Sequence, residues 1–145
     1  MCNEKRNITN IQNADFTAMS NNALIIAAND LFKLFKQKFE INCYDDMTKI
    51  SECCKIIAEI CISRNNYTEC YSAETLIDIA CFVFEQMHLY AEKSAVLKAI
   101  GTNCMVNKSL RIRALKELLS PEPEIQHYIS DDIKRFTNML SVLSD

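Results

Sequence analysis

Hydrophobic residues recur along most of the chain at steps of three and four, which is the spacing of one face of an α-helix. This pattern predicts three long helices, over residues 22–39, about 46–63 and 73–91. We expect Asp45 or Asp46 to cap the second helix and Ser72 to cap the third, because short polar side chains accept hydrogen bonds from free N–H groups at a helix start. A short helical turn is expected before the first helix, around Phe16 and Met19.

The third helix carries apolar residues on nearly all sides, and it is therefore the expected centre of the domain. A short fourth helix is predicted from Ser94, with Gly101 as its C-terminal stop. Asn107 is expected to cap a fifth helix that ends at Ser120, because Pro121 follows. Residues 121–124 are predicted to form a hinge, and a last helix is predicted to start at residues 130–132.

The composition agrees with helices throughout. The 145 residues include one Gly and two Pro, whereas sheet folds need many turns that are usually built from these residues. We predict an all-α fold: one compact domain of five to seven antiparallel-packed helices in an irregular bundle. Residues 1–8 are predicted to be a flexible tail, and residues 9–145 the single domain.

The fourth and fifth predicted helices, with the sequences SAVLKAIG and LRIRALKELL, resemble one unit of an armadillo or HEAT-type tract. The resemblance covers about residues 72–120. It implies stacked helical hairpins that present a groove to a protein partner.

Charge and cysteine usage bear on partners and compartment. Sixteen basic and nineteen acidic residues give a net charge of −3, whereas proteins that grip nucleic acid usually show a strongly basic face. No apolar run is long enough to span a bilayer, and the polar N-terminus does not resemble a signal peptide. We therefore expect an intracellular protein, cytoplasmic or nuclear, with reduced cysteines. Cys53, Cys54, Cys61 and Cys81 fall at apolar positions, whereas Cys2 and Cys43 are expected to be the most exposed.

No motif predicts chemistry at this stage. A zinc site made from Cys81 and His88 would lack the close ligand pairs that structural zinc needs, and the paired acids Asp45–Asp46 and Asp131–Asp132 are explained as helix caps. A single glycine also excludes glycine-rich phosphate loops. We predict a non-enzymatic protein with no metal and no cofactor.

These exclusions leave protein recognition as the predicted function. The chain would bind through an apolar helical groove or face, and its ligand would be either a partner helix or a second copy. Aromatic and aliphatic stripes on the first and last helices, with Arg111 of a basic cluster, supply the candidate contact residues. These are Phe32, Phe35, Phe39, Arg111, Phe136, Leu140 and Leu143.

Two alternatives remain. Eight cysteines and three N-x-[ST] sequons are also compatible with a secreted helical protein held by disulfides. A viral-type helical modulator of apoptosis or immunity is the other, although the NWGR-like segment of the anti-apoptotic family has no counterpart around Gly101.

Overall fold

The computed structural model describes residues 14–145, and the predicted tail at residues 1–8 lies outside this range. Within it the chain forms seven α-helices and no β-strand, which confirms the all-α class. The helices are α1 (Asn21–Glu40), α2 (Tyr44–Ser63), α3 (Cys70–Asp78, continued by a π-helical turn Ile79–Phe84), α4 (Tyr90–Thr102), α5 (Lys108–Leu118), α6 (Pro123–His127) and α7 (Ile133–Ser144). A 3₁₀ turn, Phe16–Ala18, precedes α1 where a short turn was predicted.

Helix α3 is the centre of the fold, as its apolar sequence predicts. It packs against α1, α2, α4 and α5, and α1 packs mainly on α2. Six of its apolar side chains are almost completely buried: Leu76, Ile77, Ile79, Ala80, Val83 and Phe84.

The prediction that the third helix starts after Ser72 and runs to about Ala91 is wrong at both ends. The helix begins at Cys70, and the chain turns at His88, which adopts a left-handed conformation with φ of 58°. The Leu89 N–H donates to the Phe84 carbonyl at 2.7 Å and closes this turn. Left-handed helix ends usually carry Gly or Asn, so a His in this role gives no sequence signal.

Gly101 does not end the fourth helix, contrary to the prediction, and α4 starts at Tyr90 rather than at Ser94. A Cβ added at Gly101 would lie 2.9 Å from Cδ2 of Leu115 on α5. The glycine therefore serves close packing of the α4–α5 hairpin. The cap of α5 is as predicted, because the Asn107 side chain accepts from the Ser109 N–H at 2.9 Å.

The predicted hinge at residues 121–124 is partly helical. Pro123 occupies the first turn of α6, a position that suits a residue with no N–H to donate. Ile125 and Ile129 are buried and hold this segment to the domain. Helix α7 then packs on α5 with Phe136 as its buried anchor.

None of the helices between residues 14 and 145 is both long enough and apolar enough to cross a membrane.

Candidate functional site

Four phenylalanine rings form a cluster where the second half of α1 meets the π-helical turn of α3. The Phe82 ring lies 6.1 Å from Phe32 in a stacked arrangement, and it meets Phe35 and Phe39 edge-on at 5.7 and 5.2 Å between centroids. These are favourable geometries, each contributing about 0.5–1.5 kcal/mol beyond the burial of area. The heptad-like spacing of the three α1 rings places them along one side of that helix.

The cluster is closed on the inside and open on the outside. Phe35 is fully buried, Phe32 and Phe82 are half-buried, and Phe39 is 38% exposed. The Nζ atom of Lys36 lies 5.0 Å above the Phe32 ring, a cation–π contact at the rim. The outer part of the cluster is thus an aromatic surface with a lysine beside it.

The turn between α1 and α2 fixes the position of Phe39. Asn42 adopts φ of 55°, and the Cys43 N–H donates to the Lys38 carbonyl at 2.9 Å. The buried ammonium of Lys38 lies 3.1 Å from the Asp46 carboxylate on α2. Burial opposes ionisation of Asp46, but hydrogen bonds with Cys43 and Lys38 outweigh it and lower the pKa of this carboxyl. These contacts hold together the turn that directly follows Phe39.

A small cleft opens at the other end of the same helix pair. Its volume is about 230 Å³, and its walls are Asn22, Ile25 and Ile26 of α1 with Glu69, Tyr71 and Ser72 of α3. Ile26 and Tyr71 stand 57% and 55% exposed on its rim. Small-molecule sites usually measure about 300–1,000 Å³, so this cleft has the size to accept one or two side chains of a protein.

The cleft and the aromatic cluster both lie where α1 meets α3, and we call this contact and its exposed apolar residues the α1–α3 groove. The starts of α1 and α3 meet at the cleft and their later parts meet at Phe82, so the two helices run parallel. With a rise of about 1.5 Å per residue, Ile26 and Phe39 are about 20 Å apart along the axis of α1, and they lie on different sides of that helix.

The contact residues predicted from the sequence differ in burial and do not all lie on one surface. Phe35 and Phe136 are core residues, whereas Phe32, Leu140 and Leu143 are half-buried and Phe39 is exposed. Arg111 is half-buried and donates from Nε to the Gly101 carbonyl at 3.1 Å, so it ties α5 to α4. Only the residues of α1 come together in the groove.

Sequence reasoning missed Ile26, Tyr71 and Phe82 as groove residues. Ile26 carried a usable signal, because it adds an apolar residue to the otherwise polar face of its helix. Tyr71 was missed because the helix start was placed after Ser72. Phe82 lies in a helix that is apolar on nearly all sides, where the periodicity does not say which side stays open.

The four cysteines at apolar positions of α2 and α3 are poorly suited to act as nucleophiles. All seven between residues 14 and 145 are free thiols. Burial raises the pKa of Cys61 to about 11 and that of Cys81 to about 12, and it also raises the pKa of Cys53 and Cys54. Thiols with raised pKa values are not thiolates at neutral pH, and only thiolates attack or bind metal readily.

The cysteine exposures differ from the prediction in one respect. Cys43 is half-buried, and the exposed thiols in this part of the chain are Cys70 and Cys104. Cys70 is exposed because α3 begins earlier than predicted, and Cys104 lies in the α4–α5 connection. Cys2 lies outside the described residues.

Residues that could hold a metal ion are not grouped together in residues 14–145. His88 is exposed at the end of α3, with its Nδ1 atom 3.1 Å from the Tyr90 hydroxyl. A second cleft, of about 210 Å³ between α2 and α4, is floored by alanines and bridged by a 3.5 Å ion pair between Lys55 and Glu92. It lacks the exposed aromatic side chains of the α1–α3 groove.

No protein-family model, curated protein or solved structure matches this chain. Its function therefore has to be inferred from its own side chains.

Proposed function

We propose that this chain is a non-enzymatic protein–protein interaction module that binds its partner through the α1–α3 groove. The observation that carries the proposal is the set of exposed apolar side chains at the contact of α1 with α3: Ile26 and Tyr71 at the cleft, and Phe39 beside Phe82. Aromatic side chains at the centre of a surface contribute most of the binding energy in many interfaces. An amphipathic helix with apolar residues at steps of three and four has the shape to fill such a groove.

The free cysteines favour an intracellular setting, either cytoplasm or nucleus, for this module. A secreted helical protein of this size would gain stability from disulfides, and the seven thiols in residues 14–145 form none. This observation also counts against the disulfide-stabilised alternative. A helical modulator of apoptosis or immunity would be one form of the proposed module, and no residue of the groove singles it out.

The test compares two charged substitutions at exposed apolar positions. Phe39→Glu places a carboxylate in the groove, and Val142→Glu is the matched control, because Val142 is 74% exposed on α7. We expect the wild-type chain and the control to form a stoichiometric complex, either with a protein captured from source cells or with themselves. The Phe39→Glu variant should lose it while its circular dichroism stays helical.

Two outcomes would overturn the proposal. One is a complex that Phe39→Glu and Val142→Glu retain equally, because binding would then occur elsewhere. The other is a monomer that binds no protein and turns over a substrate.

A further inference from the structure

The segment that contains α6 is joined to the rest of the domain by few contacts. We call residues 121–131 the α6 strap; it lies between α5 and α7 in the chain and packs on α4. Its buried side chains are those of Ile125 and Ile129. Within residues 14–145, the hydrogen bond that ties the strap to another helix runs from the Lys98 ammonium to the Tyr128 carbonyl, at 2.9 Å.

The backbone hydrogen bonds of the α6 strap are local. The N–H groups of Gln126, Tyr128 and Ile129 donate to carbonyls three or four residues back, and Pro121 and Pro123 have no N–H to donate. A segment with so few contacts to its neighbours can detach while the helices beneath it stay folded. A helix of five residues is not stable by itself, so the strap loses its own hydrogen bonds when it detaches.

The α6 strap also brings carboxyl groups to a place that already holds one. Glu122, at the start of the strap, faces titratable groups from three elements: Glu85 of α3, Tyr90 and Lys93 of α4, and Glu124 of α6. The Lys93 ammonium is buried and already pairs with the Glu85 carboxylate. Among these groups the carboxyls outnumber the ammonium by three to one, so attachment of the strap gathers negative charge when all of them are ionised.

A proton on Glu122 relieves this accumulation of charge. Burial and the neighbouring Glu85 raise the pKa of Glu122, although Lys93 opposes them. The attached strap therefore binds the proton more tightly than the detached strap, in which the carboxyl returns to water. Attachment is favoured below the ordinary glutamate pKa of 4.5, and it weakens as pH rises through the raised value.

We propose that the α6 strap is a pH-sensitive device that detaches from α4 as a unit, and that ionisation of Glu122 favours the detached form. Detachment exposes Ile125 and Ile129 together with the part of α4 that they cover. This inference does not depend on the α1–α3 groove, so its failure would leave the proposed function untouched.

Native-state hydrogen exchange of the full-length chain, followed by NMR, tests the device. The strap amides of Gln126, Tyr128 and Ile129 are compared with those of Leu97 on α4 and Leu115 on α5, after correction for the intrinsic exchange rate at each pH. We expect the strap amides to exchange through an opening that leaves Leu97 and Leu115 protected. The equilibrium constant of that opening should rise about threefold or more between about pH 4.5 and about pH 7.

Two substitutions within the strap identify the group that titrates. Glu122→Gln cannot ionise and should abolish most of the rise. Asp131→Asn is the matched control, because it removes one exposed carboxylate from the same strap at a position that does not face Glu85 or Lys93, and it should keep the rise.

Three results would overturn the inference. Strap amides that exchange only together with those of α4 would show that the strap does not open separately. An opening that is constant with pH would remove the device. A rise that Glu122→Gln retains would belong to other groups, such as His127 on the strap or His88 beside Tyr90.

Discussion

The α4–α5 hairpin and the α1–α3 pair are both helix pairs with apolar contacts. The contact in the hairpin is buried throughout, whereas the α1–α3 contact leaves apolar side chains exposed. In the hairpin, Leu97, Ile100, Gly101, Ala114, Leu115 and Leu118 are all buried. Along α1 and α3 the same depth of burial is reached by Phe35 but not by Phe39, one turn later on the same helix. The difference lies in the size of the side chains at the seam.

Interaxial distances depend on the residues at the contact. Gly101 presents no side chain to Leu115, so α4 and α5 approach until little surface is left outside. At the α1–α3 contact, by contrast, Phe82 packs among Phe32, Phe35 and Phe39, so large rings fill the position that the glycine takes in the hairpin, and Phe39 stays partly exposed. Bulky residues therefore stabilise the domain from within and also create the surface that we propose for binding.

The largest expected effect is a difference in stability between substitutions on the inner and the outer side of the aromatic cluster. Phe35→Ala should lower the free energy of unfolding by about 3–5 kcal/mol, because it empties a fully buried ring site. Phe39→Ala should cost about 1 kcal/mol, mainly its edge-on contact with Phe82. Urea denaturation of both variants measures the contrast, and equal losses would show that the outer ring belongs to the core.

A smaller effect is expected from closing the space at Gly101. Gly101→Val should destabilise the chain by about 1–3 kcal/mol, because its side chain collides with the buried Leu115. Gly101→Ala is the milder comparison: its better helix propensity, about 1 kcal/mol, offsets part of the contact between its methyl group and Leu115. Thermal melts of the two variants rank them, and a Val variant as stable as wild type would refute the close-packing role.

The helix pattern predicted the fold class, the long helices and the Asn107 cap, because these follow from local spacing and local hydrogen bonds. It misplaced the end of the third helix and the start of the fourth, around residues 88–94. The predicted cap of the second helix at Asp45 or Asp46 is also wrong, because that helix begins at Tyr44 after Cys43, and the two acids lie in its first turn. The left-handed turn at His88 uses a residue that gives no turn signal in the sequence, and the contact of Gly101 with Leu115 depends on packing against another helix. Tertiary packing of this kind overrides the usual reading of a glycine as a helix stop.

The groove was predictable in part. The aromatic stripe on α1 indicated an exposed or core face, and the structure divides it between the two. Pairing of that stripe with Phe82, and of Ile26 with Tyr71, depends on the parallel arrangement of α1 and α3. The sequence predicts the helices and their apolar faces, but it does not show which of these faces pack against each other.

The α4–α5 hairpin also carries a group of titratable side chains, at the edge where α6 covers α4. The buried ammonium of Lys93 lies 3.2 Å from the Glu85 carboxylate at the end of α3. Glu122, the residue before α6, lies close enough to Glu85 for the two carboxyl groups to influence each other's ionisation. Glu122, Glu124 and the Tyr90 hydroxyl thus lie near the Lys93–Glu85 ion pair.

The smallest predicted effect is a pH dependence at this edge. Burial and the neighbouring Glu85 raise the pKa of Glu122, although Lys93 opposes them. The folded chain therefore holds the proton more tightly than the unfolded chain. Its contribution to stability is present below the ordinary glutamate pKa of about 4.5 and is lost as pH rises through the raised value. Glu122→Gln cannot ionise, so urea denaturation should show a flatter stability profile between mildly acidic and neutral pH, with Glu124→Gln changing it less. An unchanged slope in the Glu122 variant would mean that the α6 edge is insensitive to this proton.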